Sequence, residues 1–420
     1  MEKDCLMSFG KIYKMHNVLS KKKDIMLIVN YWHMESEKAS SRYRSFADIL
    51  CRQYDLEVIT STFCHMKKAQ RSGYEQEVNS LPYRLNFIYE KGYRKNISLA
   101  RIISYTQFGR NVLKYLQNRK RPDLIIVSVP SLAVADYISR YAKKNSIPLI
   151  IDIQDLWPEA FRMALNIPFL SEVLFLPMKL QADRIYRRAD VIMAVSNTYV
   201  ARGKKCNPKA DELCIYIGTD SRLVAEKTRN VIIHKPEDEF WIGYVGALGH
   251  SYDIESVISA IKLLTHINNK KIVFKIMGDG VLRKQFELFA KHSGVLCDFS
   301  GFLEYGTMMR TLKACDIAVN PIIGNSVSSI INKVSDYAAA AIPVVNTQNS
   351  PEYRDLLEKY NAGINVRNGN ISEIANAIMT LYQSPSLRQQ MSANAYKLYE
   401  DLFDRQKTYY KIIDTIEKLA

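Results

Sequence analysis

Short, unbroken apolar runs recur along this chain, each followed by a longer stretch of helical period. In the first half the runs are Ile25-Met-Leu-Ile-Val29, Leu124-Ile-Ile-Val-Ser128, Leu149-Ile-Ile-Asp-Ile153 and Val191-Ile-Met-Ala-Val195. A strand with one wet face would alternate polar and apolar residues. A run that is apolar at nearly every position suits a strand covered on both faces, as in a parallel sheet. Leu56–Thr60 reads as one more strand, and helices are expected at about 40–53, 98–117, 132–144 and 171–188. In the second of these, Leu99, Ile102, Ile103, Val112, Leu113 and Leu116 form the apolar stripe. Alternation of strand and helix is the pattern of a doubly wound α/β sheet.

The alternation weakens over residues 219–238, which are polar, and then restarts. Phe240–Val245, Lys271–Met277, Ile317–Val319 and Pro343–Val345 read as strands. Helices are expected at about 253–265, 281–292, 307–314, 332–341, 351–359, 371–382 and 386–398. A last helix over 403–419 carries Tyr410, Ile413, Ile416 and Leu419 on one side. The chain has 420 residues, which suits two domains of about 200 residues each. The expected division is a basic extension at 1–23, domains at 24–222 and 236–402, and a C-terminal helix at 403–420 that packs back on the first domain.

Composition narrows the partners. Lys and Arg outnumber Asp and Glu by 58 to 43, a net charge of +15, which favours an anionic partner. Between Arg84 and Arg121 ten Lys or Arg residues stand against one acid, Glu90, interleaved with Tyr89, Tyr93, Tyr105, Phe108 and Tyr115. A basic, aromatic, amphipathic segment reads as a face for an anionic membrane surface or a nucleic acid, or simply as a solvated helix face. No recognised nucleic-acid module accompanies it. The seven cysteines include no Cys-x-x-Cys pair, which argues against a disulfide framework or zinc site. No metal site is expected. No apolar run reaches the roughly 18 residues of a spanning helix, so a cytoplasmic protein is expected.

Four segments can carry chemistry. Tyr244-Val-Gly246-Ala-Leu-Gly249 and Met277-Gly278-Asp279-Gly280 each close a strand and open a helix. Glycine lets a ligand approach the backbone there, and the helix N-terminus favours phosphate. Asn320–Ser329 is rich in Ser and Asn and precedes a helix holding Lys333 and Asp336. Those two residues are three apart, hence on one helical face, where they can serve diphosphate and ribose or simply pair with each other. Asp152-Ile-Gln154-Asp155-Leu-Trp-Pro-Glu159 ends a strand in the first half, where parallel sheets deliver residues to a ligand. His33 and His250 read as structural or exposed.

Taken together these segments resemble family 4 of the retaining GT-B glycosyltransferases, closest to those that build bacterial capsule and O-antigen. The matching residues are Tyr244–Gly249, Ile276–Arg283, Gly301-Phe302, Ala314–Val319, Asn332–Val345 and Asp152–Glu159. The resemblance implies the GT-B fold, two Rossmann-like domains facing a cleft. The first would bind the acceptor and the second a nucleotide-sugar donor, UDP- favoured over GDP-. It implies transfer with retention, without a metal or other cofactor, to a lipid-linked saccharide at the inner membrane face. Carried over residue by residue, Gly246, Gly249, Gly278, Asp279, Gly280, Ser329, Lys333 and Asp336 would bind the donor, with Lys333 on diphosphate and Asp336 on ribose. Asp155 and Ser328 would stand at the reacting sugar. Arg42, Gln154 and Glu159 would face the acceptor or the diphosphate. Ser328 takes the place of the first of the family's two glutamates, and Asp336 that of the second. A non-catalytic sugar-nucleotide-binding subunit and a nucleotide-sugar 2-epimerase on the same fold are the alternatives.

Overall fold

The computed structural model describes residues 22–37, 42–161, 168–264, 270–323 and 330–419, with the backbone alone at 168–172. The extension 1–23 therefore lies outside the described residues except for Lys22 and Lys23.

Two parallel sheets organise the chain. The first has seven strands: β1 (Asp24–Ile28), β2 (Asp55–Ser61), β5 (Arg84–Ile88), β6 (Leu124–Val129), β7 (Leu149–Ile153), β8 (Val191–Ala194) and β9 (Asp211–Cys214). Their order is β5-β2-β1-β6-β7-β8-β9, and every pairing is parallel. Two short strands, β3 (Phe63–Cys64) and β4 (Ala69–Gln70), form an antiparallel ribbon beside it. The second sheet has β10 (Glu239–Val245), β11 (Lys271–Met277), β12 (Leu296–Gly301), β13 (Ile317–Asn320), β14 (Val344–Asn346) and β15 (Gly363–Asn365). Its order is β12-β11-β10-β13-β14-β15, again all parallel. Both orders reverse direction once, between β1 and β6 and between β10 and β13. Doubly wound sheets place ligands at that reversal, off the carboxyl ends of the strands. The α/β class expected from the apolar runs is the one observed.

The runs themselves explain the layering. In β1, Ile25, Leu27 and Val29 enter one apolar cluster while Met26 and Ile28 enter the cluster on the opposite face. Each face is then covered by helices, so every position of the strand after Asp24 is buried.

Besides the short ribbon β3–β4, four strands of the two large sheets went unread in the sequence, β5, β9, β12 and β15, and all four are sheet edges. An edge strand has one neighbour and partial cover, so polar residues interrupt its apolar run. None of the four is buried along its length. The helix Leu99–Gln117 also differs in its facing. Tyr105, Phe108, Val112 and Leu116 are buried, whereas Leu99, Ile102 and Ile103 point to solvent. In its first turns the inward side is taken by Arg101 and Tyr105, which both hydrogen-bond Tyr31. The polar stretch 219–238 carries the short helix Ser221–Thr228.

The C-terminal segment is not one helix over 403–419. A wide turn at Tyr399–Phe403 leads to short helices at Arg405–Thr408 and Lys411–Leu419. Tyr409, not Tyr410, turns inward. Tyr409, Ile412, Ile413 and Ile416 share a cluster with Ile25 and Leu27 of the first sheet. The two halves also meet at Glu352. Its carboxylate accepts from the backbone N–H of Asn197 (2.7 Å) and Thr198 (2.9 Å), from Thr198 Oγ1 (2.8 Å) and from Tyr216 OH (2.8 Å). Glu352 thereby caps the first turn of the helix Asn197–Lys204, where N–H groups have no helical partner.

Candidate active site

The glycine turns after β10 and β11 interlock through their backbones. Gly246 N donates to Met277 O (3.0 Å) and Leu248 N to Asp279 O (2.9 Å). Gly246 and Gly278 take φ of +143° and +152°, where a side chain is strained. A Cβ on Gly278 would stand 1.9 Å from Gly246 O, and one on Gly280 2.2 Å from Leu248 O. Only hydrogen fits at these points. Gly249 has open space around it, so packing does not require glycine there. The Asp279 carboxylate stays local, accepting from its neighbour Gly280 N (2.7 Å) and from Arg283 (3.4 Å).

Lys333 lies directly beneath this double turn. It starts the helix Asn332–Ala339 and is 8% exposed. Its Nζ sits 4.3 Å from the centre of the Tyr244 ring and 3.9 Å from that of Tyr252, and donates to Tyr244 OH (3.2 Å). A Cβ on Gly246 would be 2.6 Å from Nζ. No carboxylate pairs with Lys333 among the described residues. Burial therefore holds its pKa well below the ordinary value. The ring faces offer a cation partial compensation, but an anion at the turn would offer far more.

Asp336, one helical turn on, does not pair with Lys333. Its Oδ1 accepts from Thr219 Oγ1 (2.8 Å) and Tyr305 OH (3.1 Å), and Oδ2 has no partner among the described residues. Burial pushes its pKa up, and the two hydroxyls and Arg405 offset part of that. The pair is thus a cation and a carboxylate held apart, each with unused capacity for a polar ligand. Ser328 and Ser329 lie outside the described residues.

No motif in the sequence marks the supporting shell. Tyr244, Tyr252, Thr219 and Tyr305 come from four separate segments. Behind them, at the ends of β13 and β14, Asn320 Nδ2 donates to Asn346 Oδ1 (2.9 Å) and Gln348 Oε1 (3.2 Å), all fully buried. A faint signal existed, since polar residues close both of these apolar strands.

In the first half a cavity of about 330 Å³ opens at the matching reversal, off the ends of β1, β6 and β7. Gln154 and Asp155 line it, with Tyr31, His65, Arg101 and Trp157. Asp155 Oδ2 accepts from Trp157 Nε1 (3.1 Å), and burial pushes its carboxyl pKa up. Gln154 Nε2 donates to Asp152 Oδ2 (2.8 Å). His33 also lines the cavity, 3.9 Å from Glu37, and burial lowers its pKa.

Two of the residues expected to face a ligand are held elsewhere. Arg42 is 5% exposed and points into the first domain. Its Nε and Nη2 donate to Asp152 (3.4 and 3.2 Å), and its Nη1 donates to the carbonyls of Ile215 and Tyr216 (2.5 and 3.2 Å). Phe46 and Tyr409 flank its guanidinium. It ties β7, the chain after β9 and the C-terminal segment together, and is not open to a diphosphate. Glu159 pairs with Arg202 (2.5 Å), which also binds Asp183 (2.7 Å), and it does not line the cavity. In both cases a nearby opposite charge outcompetes a solvent-facing position.

Two doubly wound sheets, with a buried cation under a glycine turn at the reversal of the second, define a two-domain α/β protein of the GT-B kind. More particularly, residues 226–398 match the family model described as Glycosyl transferases group 1. The second half therefore carries a group 1 glycosyltransferase domain, and the chain is a transferase. No curated protein matches the chain. Solved structures share its fold. Alr3699/HepE of Anabaena, solved with UDP, is 14% identical with a TM-score of 0.63, covering 94% of this chain and 100% of its own. Sucrose-phosphate synthase of Thermosynechococcus elongatus is 14% identical with a TM-score of 0.66, covering 94% and 99%. WaaG, a glycosyltransferase involved in lipopolysaccharide biosynthesis, is 14% identical with a TM-score of 0.60, covering 93% and 99%.

Proposed function

We propose that the protein moves a sugar, with retained configuration, from a UDP-sugar to a hydroxyl of a lipid-linked saccharide in bacterial surface-polysaccharide synthesis. The observation that carries this reading is Lys333, a buried lysine against the Gly246 turn with no carboxylate partner among the described residues. A diphosphate would supply that partner. Asp336, whose Oδ2 has no partner among the described residues, lies one turn away and suits the ribose hydroxyls. The Anabaena protein solved with UDP-glucose supports UDP as the nucleotide, and WaaG supports a surface-polysaccharide setting.

In this reading the Lys333 cation and the backbone N–H groups of the turns take the charge that develops on the leaving diphosphate, so transfer proceeds without a metal ion. Asp155 lies in the first-half cavity, where its raised pKa suits it to accept a hydrogen bond or proton from an acceptor hydroxyl. Work on the inner membrane face is supported by the basic segment. Of its ten cations Arg101 turns inward to the cavity, and of the other nine only Arg84 and Arg119 form ion pairs among the described residues. Ile97, Leu99, Ile102 and Ile103 are exposed beside them. Among the described residues no helix is long and apolar enough to cross a membrane.

The test is a calorimetric screen of UDP, GDP and their sugars, followed by transfer assays with membranes in the presence of EDTA. Tight UDP binding and EDTA-resistant transfer are expected. Absence of nucleotide binding across the panel would sink the reading.

A further inference from the structure

Arg101, on the wall of the first-half cavity, and Lys68, beside it, lack a charged partner among the described residues. Arg101 reaches the cavity from the helix Leu99–Gln117 and forms no ion pair among the described residues. Its guanidinium donates to three neutral oxygens: Tyr105 OH, Tyr31 OH and Asn96 O, each at 2.8 Å. It lies 4.8 Å from the centre of the Trp157 ring and 5.3 and 5.4 Å from those of Tyr105 and Tyr93. Lys68 stands next to the wall, with Nζ 3.1 Å from His65 Nδ1 and 4.7 Å from the centre of the Tyr93 ring. Its other bond is to Asn96 Oδ1 (2.5 Å), also neutral. Two cations thus converge on one aromatic cluster, each bonded only to uncharged groups among the described residues.

The neighbouring acids do not neutralise them. Glu37 is engaged by Arg71, Lys67 and Tyr74. Glu90 is buried and accepts from Ser104. Asp155 lines the cavity but is turned to Trp157 Nε1. Burial raises the pKa of both Glu90 and Asp155. The local field is felt by His65, pushed down to about 4 first by burial and then by Lys68 and Arg101. It is neutral at pH 7 and can accept or donate a hydrogen bond.

We propose that this cavity binds the anionic group of a saccharide acceptor, a carboxylate or a phosphate, through Arg101 and Lys68. The proposal rests on the reading of the first domain as the acceptor side and adds the acceptor's chemistry to it. Arg101 offers a planar donor set suited to a two-oxygen anion. Tyr31 and Trp157 offer ring surface to a pyranose. The cavity's size suits one sugar ring rather than a long chain. Asp155 on the same wall would then face a hydroxyl of that ring. Arg42, expected to face the acceptor or the diphosphate, is buried by the fold; Arg101 and Lys68 are cations at this cavity.

The test uses the full chain and paired probes. Binding of methyl glucuronide and methyl galacturonide is measured against methyl glucoside and methyl galactoside by ligand-detected NMR. Glucose 1-phosphate and galactose 1-phosphate form the phosphate arm. At least one acidic probe is expected to bind ten times tighter than its neutral partner, and the arm it belongs to identifies carboxylate or phosphate. Lys68→Gln and Arg101→Gln should each remove most of that preference. Lys68 is near the surface, so its variant remains informative if loss of Arg101 disturbs folding. Equal binding of acidic and neutral probes, no binding of any probe, or a preference that survives both changes would overturn the proposal. UDP binding is measured on the same samples. Intact UDP binding without an acid preference overturns the anion subsite alone, whereas an acid preference without UDP binding upholds the subsite and overturns the donor reading.

Discussion

Replacing Lys333 by Met should separate stability from function in opposite directions. Met keeps most of the volume and the apolar stem but removes the cation. The free protein holds that cation buried, with two ring faces and one hydroxyl for company. Its folded pKa lies below the ordinary 10.5. The unfolded chain therefore binds this proton more readily, and stability of the free protein rises with pH through the window between the folded value and 10.5. Lys333→Met should flatten that rise and leave the free protein at pH 7 at least as stable as the parent, with each kcal/mol gained seen as about 2–4 °C in Tm. Binding should move the other way. A charge-assisted bond to phosphate contributes about 1.5–3 kcal/mol, so UDP affinity should fall about 10- to 150-fold. Calorimetry of UDP binding reads this loss directly. An unchanged Kd would refute the assignment of Lys333 to the diphosphate.

Other positions give sharper contrasts. Asp336→Asn should keep its bonds to Thr219 and Tyr305 while weakening UDP about 10-fold or more, with little effect on 2′,3′-dideoxy-UDP; equal losses for both ligands would remove the ribose role. Gly278→Ala should cost about 1–3 kcal/mol and abolish tight nucleotide binding, since its Cβ would meet Gly246 O at 1.9 Å. Gly249→Ala, with open space around it, should do neither, and thermal melts with and without UDP check both. Arg42→Met leaves the buried Asp152 carboxylate without its cation, with Gln154 still donating to it, so it should lower stability by about 3–5 kcal/mol in a denaturant titration while leaving the nucleotide Kd of the folded protein unchanged.

The second-half site was the more legible of the two. Gly278 and Gly280 were visible because backbone meets backbone there, and no other residue type fits. Lys333 and Asp336 were visible as two charges on one face of a helix. That they do not pair was not visible, because Tyr244, Tyr252, Thr219 and Tyr305 reach them from distant segments. Arg42 and Glu159 were misread for a related reason. A charged side chain in a promising segment goes to the nearest opposite charge, and Asp152 and Arg202 were near only after folding. Arg101 was counted as one of ten surface cations, yet the helix turns it inward on to three aromatic rings.

The sequence by itself determined the two sheets. A strand apolar at nearly every position is satisfied by cover on both faces, and β1, β6, β7 and β10 carry that requirement in their own residues. It also determined where the chain must turn tightly, at Gly246 and Gly278. Only the tertiary structure decided the edges β5, β9, β12 and β15, whose half-covered faces leave no unbroken apolar run. It alone decided which charges are neutralised and which remain unpaired. Hydrophobic burial is a sum over each residue's own surface and can be read locally, whereas the state of a charge depends on which partner folding brings within a few ångströms.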